Sequence, residues 1–162
     1  MVCVHCKNEK ETERVGALLA AQMTCSDVLL LSGEMGTGKS VLTRGLAAQL
    51  GIEGPIPSPT FTILLIHEGS GLTLYHFDLY RLENEDELYE MGLDEMIPPD
   101  NGVAVIEWPQ NCAMAMPEKC FRVSLAYVPD ALEERILNID FPENSLGQRF
   151  RATALAAGIE CK

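Results

Sequence analysis

Eight consecutive residues, Gly33, Glu34, Met35, Gly36, Thr37, Gly38, Lys39 and Ser40, satisfy the G-x-x-x-x-G-K-[ST] spacing of a phosphate-binding loop. The apolar run Val28, Leu29, Leu30 and Leu31 before it reads as a buried strand. After it, Val41, Leu42, Gly45, Leu46, Gln49 and Leu50 fit helical spacing. A strand feeding such a loop and a helix leaving it is the context in which the motif has chemical meaning. A glycine-rich turn that binds nothing is a poor reading of it.

Each residue type has a physical reason. Glycines let the backbone adopt positive φ and let its N–H groups approach phosphate oxygens closely. The new helix points the positive end of its dipole at the anion. Lys39 supplies a point charge for the terminal phosphates, and the Ser40 hydroxyl is a ligand for Mg²⁺. The expectation is a nucleoside triphosphate-binding protein, with its task still open.

The chain of 162 residues is long enough for one domain with one substantial core. No apolar run approaches a membrane span, and the first seven residues lack the apolar core of a secretory signal. A cytoplasmic location is the expectation, and reduced thiols are expected for the six cysteines. Cys3 and Cys6 have C-x₂-C spacing but no second pair to match it; an adventitious pair is the better reading, a zinc site the alternative. The net charge of −12, with no cluster of basic residues, disfavours direct tight binding of nucleic acid.

Asn8 with Glu11 resembles a helix N-cap and its acidic partner, followed by an apolar face of Val15, Leu18, Leu19 and Met23. Residues 54–60 are too rich in proline for helix or central strand. Strands are expected over 61–66 and 72–77, as a hairpin or as neighbours, and an acidic helix over 83–91. Residues 103–106 form a continuous apolar run, as in a central parallel strand buried on both faces. Two more strands are expected over 121–127 and 135–139, then a short helix over 146–157.

A triphosphate site needs a further acid beside the loop to hold Mg²⁺ or its waters. Most of the 24 acids are surface charges, but Asp78 and Glu107 each close an apolar strand. Glu107 follows the better-buried strand and is expected at the metal. Asp78 is expected to position the attacking water. Ser58, Pro59, Thr60, Phe61 and Thr62 lie between the loop helix and these acids, and hydroxyls on such a stiffened segment suit a γ-phosphate sensor as well as an ordinary connection.

Taken in order, residues 33–40, 58–62, the run His76, Phe77, Asp78, Leu79, Tyr80, Arg81, Leu82, and the triplet Glu107, Trp108, Pro109 closely resemble the TsaE (YjeE) family. These are bacterial ATPases required for threonylcarbamoyladenosine in tRNA. The resemblance covers about residues 8–140; the tail 141–162 and the Cys3–Cys6 pair take nothing from it.

The resemblance implies an α/β, three-layer P-loop NTPase-like fold, its mixed, mostly parallel sheet having helices on both faces. It implies ATP and Mg²⁺ as cofactors and slow, partner-dependent hydrolysis serving the modification at position 37 of tRNAs that read codons beginning with adenine. Partner subunits of the TsaB and TsaD type are implied, with tRNA met only indirectly and no membrane. The catalytic set would be Lys39, Asp78 and Glu107. Ser40 and Glu107 would hold the metal, while Glu34, Met35, Gly36, Thr37, Gly38 and Lys39 meet the phosphates and Thr12 lies near the base.

Two other readings compete with this one. A small-molecule kinase on this fold needs an arginine-rich lid, whereas Arg14, Arg44, Arg81, Arg122, Arg135, Arg149 and Arg151 are scattered. A GTP-operated switch is weaker, because neither D-x-x-G nor N-K-x-D occurs.

Overall fold

A computed structural model describes all 162 residues. In chain order the strands and helices are β1 (Val2–Cys6), α1 (Glu9–Ala20), β2 (Val28–Ser32), α2 (Lys39–Gln49), β3 (Leu64–His67), β4 (Thr73–Asp78), α3 (Glu85–Glu90), β5 (Gly102–Glu107), β6 (Phe121–Val128), β7 (Ala131–Asp140), α4 (Asn144–Ala156) and β8 (Glu160–Cys161). Short 3₁₀ helices span Asp94–Met96 and Pro109–Ala115.

All eight strands join one sheet in the order β3-β4-β5-β2-β6-β7-β1-β8. The centre, β4-β5-β2-β6, is parallel, and both flanks are antiparallel. The sheet is buried on both faces at its centre, which is why β2 and β5 are almost wholly apolar.

Alternation sorts the two faces. Leu29, Leu31, Val103 and Val105 meet Val15 and Leu19 of α1, Leu42 and Leu46 of α2, and Phe150 of α4. Val28, Leu30, Ala104, Ile106 and Phe77 point the other way, against Leu88 of α3 and Cys112 of the second 3₁₀ helix. Helix, sheet and helix thus form three layers, as the sequence led us to expect.

Close approach of α1 and α2 rests on two glycines. A Cβ on Gly45 would stand 1.9 Å from Glu13 O, and one on Gly16 would stand 2.1 Å from Leu42 O. Neither position admits a methyl group without moving the helices apart, and with them the loop that α2 continues.

Asn8 caps α1 by accepting from Glu11 N at 3.1 Å, while the Glu11 carboxylate accepts from Lys7 N at 2.8 Å. The strand expected over 61–66 starts later, at Leu64. Pro59 O accepts from Thr62 N and Ile63 N, and Ile63 has φ +66°, so this stretch is a turn. Asn84 caps α3, accepting from Asp86 N and Glu87 N, so the acidic helix is shorter than 83–91.

The N-terminal residues form a strand that pairs β7 and β8, with Val4 opposite Leu137 and Cys161. Cys6 is buried beside Val2 and Val4, whereas Cys3 is on the opposite, partly exposed face. That geometry rules against a chelating Cys3–Cys6 pair. All six cysteines are free thiols, and burial pushes the Cys6 thiol up to about 11. No helix is long and apolar enough to cross a membrane.

Candidate active site

Ligand sites in such sheets form outside the carboxyl ends of the parallel strands. Here the register makes one row there: Asp78 on β4 faces Glu107 on β5, and Glu107 faces Leu31 on β2. Backbone bonds extend the row, from Leu79 N to Glu107 O at 3.0 Å and from Trp108 N to Leu31 O at 3.3 Å. The loop leaves β2 one residue beyond Ser32 and turns back into α2. Lys39, Ser40, Asp78 and Glu107 are thereby brought to one cleft of about 430 Å³, with Ser58, Thr60 and Trp108 on its walls.

Within the loop, Gly36 has φ +81°, and a Cβ there would lie 2.7 Å from the Tyr127 hydroxyl. Gly38 has φ +102° and begins α2 without a side-chain cap, so the helix's first N–H groups face the cleft. Thr37 braces the turn by donating to Glu34 O at 2.8 Å.

Lys39 is buried. Its Nζ donates to Gly33 O at 2.9 Å and Glu34 O at 3.0 Å, and lies 4.7 Å from the centroid of the Trp108 ring. Burial draws its pKa below the usual lysine range, against the opposing pull of Glu107 and Asp78. Trp108 itself holds a left-handed backbone, φ +57°, and packs on Tyr80 with ring centroids 5.0 Å apart. It lines the cleft and so differs from an ordinary core aromatic.

The two acids have different surroundings. Asp78 is 3% exposed and fully engaged: Oδ2 accepts from Thr60 Oγ1 at 2.8 Å and Ser58 Oγ at 3.2 Å, and Oδ1 accepts from Tyr80 N at 3.0 Å. Ser58 and Thr60 of the 58–62 segment therefore meet Asp78 directly. Glu107 is also 3% exposed, and its Oε1 accepts from His76 Nε2 at 2.9 Å. Ser40 is exposed on the first turn of α2.

A second cleft of about 610 Å³ adjoins the first through Gly36, Gly38 and Val41. Thr12 is on its wall, with Asn8, Lys10 and Arg135. The Thr12 side chain is buried and donates to Asn8 O at 3.4 Å.

Three contributors had no role assigned from the sequence. Tyr127 Oη donates to Met35 O at 2.9 Å, and Arg135 Nε donates to Thr37 O at 2.9 Å. The Arg135 guanidinium also stacks 4.6 Å from the Tyr127 ring centroid, so the β6–β7 hairpin grips the loop from outside. His76 is the third. Of the seven scattered arginines, only Arg135 has a hydrogen bond to the loop.

The donor set fits a Mg²⁺ triphosphate. A loop of backbone N–H groups, held at positive φ at Gly36 and Gly38, faces a lysine ammonium, a serine hydroxyl and two carboxylates. These are hard oxygen donors of the kind Mg²⁺ takes, with few protein ligands required.

Comparison with known proteins agrees with this architecture. The family model described as "Threonylcarbamoyl adenosine biosynthesis protein TsaE" matches residues 6–136. A tRNA threonylcarbamoyladenosine biosynthesis protein TsaE from Treponema pallidum is 37% identical over 134 residues, 83% of this chain and 97% of the relative. Its namesake from Bacillus subtilis is 37% identical over 123 residues, 76% of each chain. The crystal structure of Bacillus subtilis YdiB superposes with a TM-score of 0.78 at 29% identity, covering 94% of this chain and 97% of that one.

Proposed function

This chain belongs to the TsaE family, and from that premise we propose that it is a Mg²⁺-dependent ATPase acting in threonylcarbamoyladenosine formation on tRNA. The observation that carries the reading is the single row of Asp78 and Glu107 beside Lys39 and Ser40. Position 37 of tRNAs reading codons that begin with adenine is the proposed target. The proposed partners are TsaB-type and TsaD-type subunits, in the cytoplasm.

Bound Mg²⁺ supplies Lewis-acid stabilisation of charge on the phosphates. The chain supplies the rest. The loop N–H groups and the α2 dipole hold the phosphates in place. Lys39, steadied by two loop carbonyls and the Trp108 ring, neutralises charge on the terminal phosphates. Ser40 and Glu107 would hold the ion. Asp78, fixed at both oxygens, orients the water that attacks. The base occupies the cleft walled by Thr12 and Arg135.

The net charge of −12 favours a chain that meets protein partners and leaves tRNA to them. Phosphate release from ATP, measured alone and with TsaB-type and TsaD-type proteins, tests the reading. Slow release that rises at least about tenfold with the partners is the expected result, a change of about 1.4 kcal/mol in barrier. No stimulation, with phosphate appearing on a small acceptor, would favour a kinase.

A further inference from the structure

His76 has no part in the scheme above, yet it is wholly buried one row behind the acids. It lies on β4 opposite Val105, and alternation turns it to the same face as Asp78, with Val105 and Glu107 facing it from β5. Its Nε2 is 2.9 Å from Glu107 Oε1. Its Nδ1 is buried without a hydrogen-bond partner.

We propose that His76 is a positioning residue for Glu107, holding one carboxylate oxygen so that the other is presented to the metal. The proposal rests on the reading of Glu107 as a metal ligand. A carboxylate only accepts, so Nε2 carries the proton and donates, which fixes the ring's tautomer. Packing alone is served there by an aliphatic side chain, as at Leu74 two residues earlier on the same face. Here the ring's polar contact is with Glu107. Glu107 is nearly as buried, and without a donor its side chain is free to turn toward the Lys39 ammonium. Carboxylate ligands are held by such outer hydrogen bonds, and their loss costs about 10–100-fold in metal affinity.

Two amides separate positioning from packing. His76→Gln places an N–H near the position of Nε2, whereas His76→Asn places it near Nδ1, short of Glu107. The readouts are Mn²⁺ bound in the presence of ATP, counted by electron paramagnetic resonance, and nucleotide affinity with Mg²⁺ and with EDTA. Wild type and His76→Gln are expected to bind nucleotide more tightly with Mg²⁺. His76→Asn is expected to lose about tenfold in Mn²⁺ affinity while its EDTA value stays within about twofold of wild type. A His76→Asn chain that keeps wild-type Mn²⁺ affinity overturns the inference, and so does equal weakening with and without metal. Should His76→Asn fail to fold by circular dichroism, His76→Gln decides: wild-type Mn²⁺ affinity supports the role, and a tenfold loss contradicts it. A wild-type chain with no metal-dependent gain overturns the reading of Glu107 itself, a result distinct from all of these.

Discussion

Lys39→Ala is expected to lower nucleoside triphosphate affinity about a hundredfold and to leave no measurable hydrolysis. A charge-assisted hydrogen bond contributes about 1.5–3 kcal/mol, and every 1.4 kcal/mol is tenfold in affinity. Lys39 is 6% exposed, so its charge acts where water screens it little. The substitution also leaves Asp78 and Glu107, each 3% exposed, without the cation they draw on, and so repelling an incoming phosphate. The loop loses the bonds that Nζ gives to Gly33 O and Glu34 O. An equilibrium titration with ATP, paired with a phosphate-release assay, checks both halves. Unchanged affinity and turnover would remove Lys39 from the site.

Glu107→Ala and Asp78→Ala are expected to fail differently. Without Glu107, the gain in nucleotide affinity that Mg²⁺ brings should fall about tenfold or more, as expected when a metal site loses a ligand. Affinity in EDTA should hardly change. Asp78→Ala should leave metal-dependent binding within a few-fold, yet slow hydrolysis about 100-fold or more, the scale of a lost acid–base or water-positioning group. The reason lies in their partners. Asp78 ties the Ser58 and Thr60 hydroxyls to the cleft and is itself held at both oxygens. Glu107 has Oε1 on His76 and its other oxygen available to a cation. Nucleotide affinity at a series of Mg²⁺ concentrations, with single-turnover rates, separates the two. The reverse pattern would exchange their roles.

What could be read from the sequence followed from what is local in it. The loop, the strand before it and the helix after it lie within about two dozen residues, and their spacing carries their meaning. Asp78 and Glu107 stood out because each ends an apolar run; β4–β5 register then put them side by side. Contacts between distant residues were not legible. Tyr127 and Arg135 reach loop carbonyls 92 and 98 residues away, and neither has a distinguishing neighbour in sequence. His76 stood in the matched run 76–82 with no role of its own until the parallel register set it behind Glu107.

The first strand was hidden for a similar reason. Val2, Val4 and Cys6 alternate over too few residues to be distinctive, and the partners that make them a strand are at the far end of the chain. The cysteine spacing was the louder signal there. It raised a zinc site as the alternative to an adventitious pair, and strand geometry turns the two thiols apart. At Ile63, a β-branched residue in an apolar run read as strand, but the turn closed by Pro59 O holds it at positive φ.

On the proposed function, affinity resides in the phosphates held by residues 33–40. The most direct test is calorimetric titration of the chain with Mg²⁺–ATP and, separately, with adenosine. One Mg²⁺–ATP per chain, bound at least about a hundredfold more tightly than adenosine, is the result predicted. Equal affinity for the two, or no binding of ATP, would contradict it.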